Sequence, residues 1–300
     1  MIVYLKSGEI DRAQWDYCIR NSAGAKPYAY SWCLDIMAPG WEALVDDEYD
    51  SVFPIPSFTR FGVKYIATPK FLQQLGAFSP DKPVTQSVKE FLDYMPELFR
   101  LTDLCIAQEV DHHNYKVTEK SNYELNLSQT YDEIERNFTP ECRRFISHAG
   151  KRYFQTEDIT PRELVRVCQA DRRFGLRTAK ISDYEHIEKL MEYCLSSGKG
   201  RIIGVRASRK KVLYGIFLLQ IHGSITILLE ANTAGSLQKH IGYYVINEII
   251  RHSASKHLVL DFAGTTGHYP TPAGKSFGGQ IVPYYRIYRN RLLWPARIMK

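Results

Sequence analysis

Between Arg201 and Asn232 the sequence holds three apolar, β-branched runs, RIIGVRA, KVLYGIFLLQI and SITILLEAN, separated only by Ser208 to Lys210 and by His222-Gly223. Connections this short join antiparallel neighbours, so the three runs form a meander. Two helices precede it. ITPRELVRVCQADRRFG opens with Thr160 as N-cap, Pro161 at the first helical position and Glu163 closing a capping box, then places Leu164, Val167 and Cys168 on one side. ISDYEHIEKLMEYCLSSGKG repeats the device with Ser182 and Glu185, carries a stripe of Ile187, Leu190, Met191 and Cys194, and stops at Gly198. After Asn232 a loop with Gly235 leads to a helix from about Ser236 to His252, through Ile241, Val245 and Ile249, and then to the strand HLVLDFAG, a short helix and a final run IVPYYRIYRN.

The first half carries a looser copy of this order. Asp11 to Asn21 reads as a helix, YAYSWCLDI, WEALVDD, SVFPIPSF and VKYIATP as strands, QSVKEFLDYMPELFR as an amphipathic helix and DLCIAQ as a short apolar strand. With 300 residues, longer than a usual domain of ~100–200, the chain is expected to be a duplicated α/β (α+β) unit. Between the halves, LSQTYDEIERNFTPECRRFISHAGKRYF offers helix starts at Thr130 with Glu133 and at Thr139-Pro140, a helical bridge. The expected domains are 1–155, bridge included, and 156–300, with the boundary near Thr156.

A hydrophobic share of 44% with 24% charged residues excludes a disordered or fibrous chain. A membrane helix needs ~20 apolar residues; the best run, Val212 to Ile221, contains Gly215 and Gln220 and reads as a buried strand. The N-terminal MIVYLKSGEIDRAQWDYC turns acidic before a signal core can form, so the expected location is cytoplasmic. Six cysteines without a C-x-x-C pair speak against disulfides and zinc. The net charge of +6 favours anionic partners: phosphates, nucleic acid or a peripheral membrane surface.

Nucleotide-loop, dinucleotide, zinc-protease and serine-hydrolase motifs are absent. Asp111, His112, His113 and Asn114 read as a solvated loop rather than a metal site, and no metal is expected. Arg136, Arg143, Arg144, His148, Lys151 and Arg152 fall close to one helical face if the bridge is continuous, giving possible phosphate or nucleic-acid contacts against the plainer reading of a solvated face; Pro140 breaks that face in two if it ends a helix. The tail YYRIYRNRLLWPARIMK, with Arg286, Arg289, Arg291 and Arg297 among aromatics, reads first as an edge strand.

The stretch LDFAGTTGHYPTPAGKSFGGQIVPYY ends a strand on Asp261 and runs through glycines and prolines to Lys275-Ser-Phe-Gly-Gly. With Phe262 and Gly264, it resembles the closing motif of the Fem-type (FemABX-like) branch of the GNAT acyltransferase superfamily. SVFPIPSFTRFGVKYIATPKFLQQLGAFS, with Pro54, Pro56, Gly62, Gln73, Gln74 and Gly76, and the bridge CRRFISHAGK resemble the same branch over most of the chain. The resemblance implies two tandem GNAT-like domains, each a mixed, largely antiparallel sheet flanked by helices. It also implies an acyl or aminoacyl transferase that forms an amide on an amine-bearing acceptor, such as a small molecule or a glycan or peptide precursor of the cell envelope.

By that resemblance, two parallel strands splay to hold a donor carbonyl that a backbone N–H polarises while an amine attacks. Asp261 would be a carboxylate of the cleft, against a role in capping the following turn, and Lys275 a clamp on a phosphate. Gln73, Gln74, Gly264, Phe277, Gly278 and Gly279 would line substrate, the glycines by close backbone approach or positive φ. No tightly bound cofactor is implied; the co-substrate would be acyl-CoA or aminoacyl-tRNA. NTAGSLQKHIGYY lacks the glycine spacing that holds a CoA pyrophosphate at a helix N-terminus, which leans towards another donor. A non-catalytic module binding RNA or another anion through the bridge arginines is the rival reading.

Overall fold

The computed structural model describes residues 1–46, 48–81, 84–151, 154–171, 178–207, 211–221, 223–263 and 273–292. The chain forms two compact units, one of Met1–Lys120 and the residues from Pro283 onward, the other Ser121–Val282. The first contains β1 (Ile2–Leu5), α1 (Arg12–Asn21), α2 (Ser31–Met37), β2 (Glu42–Asp46), β3 (Ser51–Ile55), β4 (Ser57–Arg60), β5 (Val63–Ala67), α3 (Val84–Asp93) and β6 (Leu101–Ile106). β7 (Lys116–Asn126) carries the chain into the second unit. There follow α4 (Tyr131–Arg136), α5 (Pro140–Gly150), β8 (Thr156–Asp158), α6 (Pro161–Ala170), α7 (Ile181–Ser196), β9 (Gly200–Arg206), β10 (Val212–Ile221) and β11 (Ser224–Asn232). Then come α8 (Ala234–Gln238), α9 (Ile241–Ser253), β12 (Val259–Asp261), α10 (Ala273–Ser276) and β13 (Gln280–Asn290), which returns the chain to the first unit at Pro283.

Each unit repeats one order: two helices, an antiparallel meander, a helix, and a strand that returns parallel to the last meander strand. In the first, β5 and β6 pair in parallel through Tyr65–Ala67 and Leu101–Asp103. In the second, β9, β10 and β11 are antiparallel, and β11 pairs in parallel with β12. The fold is mixed α/β with tandem GNAT-like units, as expected.

The boundary near Thr156 falls inside the second unit, and the bridge belongs to that unit. Ile134, Phe138 and Cys142 of the bridge share a core with Ile216 and Leu218 of β10, Ile225 and Ile227 of β11 and Val245 and Ile249 of α9. Pro140 divides the bridge into α4 and α5, with the Thr139 side chain accepting from the Cys142 amide. YAYSWCLDI is not a strand: Tyr30, Cys33, Leu34 and Met37 are buried at helical spacing, and the Asp16 carboxylate accepts from both the amide and the hydroxyl of Ser31 at the start of α2. SVFPIPSF is two strands that part at Pro56, β3 pairing with β2 and β4 with β5. α7 begins at Ile181, with Asp183 accepting from the Lys180 amide, so Ser182 and Glu185 lie inside the helix. The helix expected after Asn232 is two, separated at His240, whose φ is +55°.

The arginines of the tail are largely structural: Arg286 grips Asp103 and Arg289 is buried with its guanidinium on the Phe99 carbonyl. His112, expected in a solvated loop, is buried and bonded to Asp93 at 3.0 Å. Among the described residues no helix is long and apolar enough to cross a membrane.

α6 starts as its sequence dictates. The Glu163 carboxylate accepts from the Thr160 amide at 3.0 Å and the Arg206 guanidinium at 2.8 Å, and the Arg206 hydrogen bond, followed by that of the Thr160 backbone, holds its pKa down to about 2. A carboxyl whose folded pKa is depressed stabilises the fold above its unfolded value of ~4.3 and loses that contribution as pH falls towards 2. Glu163→Gln should therefore lower the urea midpoint at pH 7 and lower it much less near pH 2; equal losses at both pH values would contradict this assignment. Thr160→Ala should cost ~1 kcal/mol at neutral pH in the same unfolding measurement.

Candidate active site

β11 and β12 are paired for three residues only, Ser224↔Val259, Ile225↔Leu260 and Thr226↔Asp261. β11 then runs on to Asn232, while β12 ends, and the strands part. The ladder between β10 and β11 shifts at this point, Leu218 opposing Ile227 but Phe217 opposing Leu229, so Leu228 is a bulge. A bulge re-aims the side chains beyond it. Glu230 and Asn232 consequently lie opposite Ile216 and Tyr214, in register with the residues that α9 covers.

Glu230 is buried at 5% exposure, a polar residue at the end of an apolar strand. Asn232 donates to its carboxyl at 3.2 Å, and Ser236 in α8 donates to Asn232 at 3.0 Å. Tyr243 of α9 belongs to the same core as Ile216 and Tyr214. Burial pushes its phenol up to about 12, a hydrogen bond with Ser276 of α10 acts the other way, and Cys142, Glu141 and Glu230 raise it further. At neutral pH Tyr243 is thus a neutral phenol able to donate a proton. A buried carboxyl on β11 thus lies on the face that α9 covers, and α9 carries a phenol bonded to a hydroxyl of α10. Ser276 belongs to the Lys-Ser-Phe-Gly-Gly run singled out in the sequence, whereas Glu230 and Tyr243 did not stand out; the only trace was a single acidic residue near the end of SITILLEAN.

Asp261 closes β12 with 2% exposure. Its Oδ1 accepts from Asn122 Nδ2 at 2.7 Å and from the Ala263 amide at 2.8 Å. The carboxylate therefore ties the strand end to β7 and caps the turn. Gly264 lies outside the described residues. Lys275 is exposed on α10, and its ammonium has no partner among the described residues.

The turn around Lys275 is a fastening. Phe277 is wholly buried, 5.0 Å from Phe138, 5.7 Å from Tyr243 and 6.2 Å from Phe262 by ring centres, so it anchors the turn in the core. The Ser276 carbonyl accepts from the Thr139 amide at 2.9 Å, joining the turn to the start of α5. Gly278 has φ +76°, and a Cβ there would stand 2.8 Å from the Asn137 carbonyl oxygen. Gly279 approaches the Gly274 carbonyl in the same way. The close backbone approaches at Gly278 and Gly279 are made to the protein itself.

The bridge arginines are engaged locally. Arg143 donates to the Glu135 carbonyl at 3.0 Å and Arg144 pairs with Glu141 at 3.6 Å, while Lys151 is exposed. Beside them His240 stacks on Phe145 at 3.8 Å, and burial, then His148 and Arg144, lower its pKa.

Gln73 and Gln74 lie in the first unit, buried, with Gln74 Nε2 donating to Gln73 Oε1 at 3.0 Å. There β5 and β6 also part, but the chain refills the gap: the Leu75 amide donates to the Cys105 carbonyl at 2.8 Å and the Ala107 amide to the Leu75 carbonyl at 2.9 Å. The two glutamines thus pack within a closed notch.

Gly278→Ala combines a left-handed backbone, ~1–2 kcal/mol for a residue with a Cβ, with a backbone clash. It should destabilise by more than ~2 kcal/mol in chemical unfolding, whereas Gly198→Ala, at φ +67° with nothing within 4 Å, should cost only the backbone strain. Equal losses would mean that the contact with Asn137 carries nothing.

No family model and no curated protein sequence matches the chain. Solved structures do. FemX superimposes with a TM-score of 0.61 at 14% identity, over 96% of this chain and 97% of that one. A conserved protein of unknown function from Bacteroides thetaiotaomicron VPI-5482 gives 0.58 at 12% identity, over 97% and 100%. The C-terminal domain of a protein assigned as a lysylphosphatidylglycerol synthetase from Agrobacterium fabrum gives 0.53 at 11%, over 88% and 87%. At these identities the likeness is one of fold, and the fold of this chain is that of FemX, a tandem pair of GNAT-like units.

Proposed function

We propose that the chain is an acyl or aminoacyl transferase that forms an amide on an amine-bearing acceptor, with its transfer site in the second unit. The observation that carries this reading is the parallel pair β11–β12 that parts after Thr226↔Asp261, with Glu230 beyond it on β11 and the bonded pair Tyr243–Ser276 on the helices of the second unit. A donor ester or thioester carbonyl set in such an opening meets backbone N–H groups in place of water. The acceptor nitrogen attacks the carbonyl carbon, the C–N bond forms and the C–O or C–S bond breaks. Glu230 takes the proton that the amine loses, and Tyr243, a neutral phenol, delivers a proton to the departing oxygen or sulfur. Asp261 is a positioning residue that fixes the end of β12, and Lys275 meets a phosphate of donor or acceptor.

The turn after β11 bears on the donor: NTAGSLQKHIGYY lacks the glycine spacing that holds a CoA pyrophosphate at a helix N-terminus, which favours an aminoacyl ester over acyl-CoA. The likeness to a protein assigned as a lysylphosphatidylglycerol synthetase supports the same choice by analogy of fold. The acceptor class is a small molecule or a glycan or peptide precursor of the cell envelope, and the site of action is the cytoplasm.

Binding titrations with acetyl-CoA, a longer acyl-CoA, bulk aminoacyl-tRNA and uncharged tRNA at two salt concentrations test the donor. Preference for charged over uncharged tRNA is expected; saturable CoA binding alone would replace the aminoacyl ester by a thioester. Equal, steeply salt-dependent binding of both tRNAs without transfer would support a binding module instead. In the transfer assay Glu230→Gln and Tyr243→Phe should each lower kcat by ~10²-fold or more with the melting curve retained. Lys275→Ala should raise KM. Unchanged kinetics in all three folded variants would remove the site from this reaction.

A further inference from the structure

The first unit carries a site of another kind on the face of its sheet. Tyr65 on β5 and Tyr288 on β13 stand on either side of β6, where Leu101 pairs with Tyr65 and Asp103 pairs with Tyr288. Neighbouring strands lie ~4.8 Å apart and residues ~3.3 Å apart along a strand, so the two tyrosines rise roughly 12 Å apart, one on each side of a floor of Ala67 and Leu101. These side chains are half-exposed, whereas Ile66, Thr102 and Ile287, on the opposite side of the same strands, are fully buried. The trough is a cavity of about 350 Å³, within the range of small-ligand sites.

Its charges are ordered. Arg286 Nε and a terminal guanidinium nitrogen grip the two oxygens of Asp103 at 2.5 and 2.6 Å, and the guanidinium lies 5.3 Å from the Tyr288 ring centre. That pair is neutral as a whole and holds a flat donor group against an aromatic face. Arg60, on the wall of the same cavity, is exposed, lies over the Phe61 ring at 5.3 Å and has no carboxylate partner among the described residues. One uncompensated positive charge at the edge of a trough walled by two tyrosines suits a planar ring that carries an anion. Bases stack on aromatic side chains and on arginine planes, and phosphates pair with free guanidinium groups.

We propose that this trough is a second ligand site, for a mononucleotide-type ligand whose base stacks on Tyr288, with Tyr65 as the opposite wall, and whose phosphate meets Arg60. The assignment goes beyond the transfer reaction and does not rest on it. The test is titration of the full chain with AMP and UMP, and with glucose 6-phosphate and inorganic phosphate as controls, by calorimetry and saturation-transfer NMR. Saturable nucleotide binding about tenfold tighter than either control is expected. Tyr288→Leu and Arg60→Gln should each weaken it by about fivefold or more while melting like the parent. Absence of saturation with both nucleotides, equal binding of all four compounds, or parental affinity in both variants would overturn it. Because Arg60 is exposed, Arg60→Gln decides the question even if the Tyr288 variant fails to fold.

Discussion

Three residue pairs between β11 and β12 set the form of the second unit. Parallel neighbours cannot be joined by a tight turn, so the chain between them must cross the sheet, and α8 and α9 are that crossing. The crossing delivers Tyr243 to the face that the bulge at Leu228 turns Glu230 towards. Had the pairing continued to Asn232, a ladder of hydrogen bonds would occupy the edge of β11 and no backbone groups would remain for a carbonyl. The chemistry depends on a sheet that begins to form and stops.

Stopping a parallel pair after three residues leaves it weak unless something else holds it. β12 is held from its other side by antiparallel pairing with β7, Asp261 facing Glu124, and by the bond from Asn122 to Asp261. α10 adds a clasp, with Phe277 sunk among Phe138, Tyr243 and Phe262 and the Ser276 carbonyl bound to the amide that opens α5. Removing a ring as buried as Phe277 would cost ~3–5 kcal/mol, more than the short pairing itself supplies. Of the Lys-Ser-Phe-Gly-Gly run, Phe277 and the glycines hold the frame, Ser276 touches Tyr243, and Lys275 alone faces solvent.

The repeated order of elements was legible because it rests on local chemistry: caps at Thr130, Thr139 and Thr160, turns too short for anything but antiparallel strands, and apolar stripes. What misled was local chemistry overruled from a distance. The aromatic run around Trp32 has strand propensity, but Asp16 caps it from α1 and its buried positions fall at helical spacing. The helix after Asn232 carries no proline and its Gly242 lies past the break, yet His240 takes a left-handed backbone, with its ring stacked on Phe145. Glu230 and Tyr243 could not be picked out, since their placement depends on a bulge and on a crossing helix, neither of which has a sequence period, while Ser276 was legible within its motif and its bond to Tyr243 was not. Asp261 was legible as a strand end, and its bond to Asn122 was not.

The two units make opposite use of one frame. In each, a parallel pair three residues long opens into a notch. In the first unit the notch is occupied: the Thr68 amide and hydroxyl bond the backbone of Asp103 and Cys105, and Leu75 continues the ladder to Ala107, with Gln73 and Gln74 buried between. A ligand entering there would leave several buried backbone groups unpaired, each costing ~1–3 kcal/mol, so that notch is closed to substrate by its own hydrogen bonds. In the second unit no described residue continues the pairing beyond Asp261.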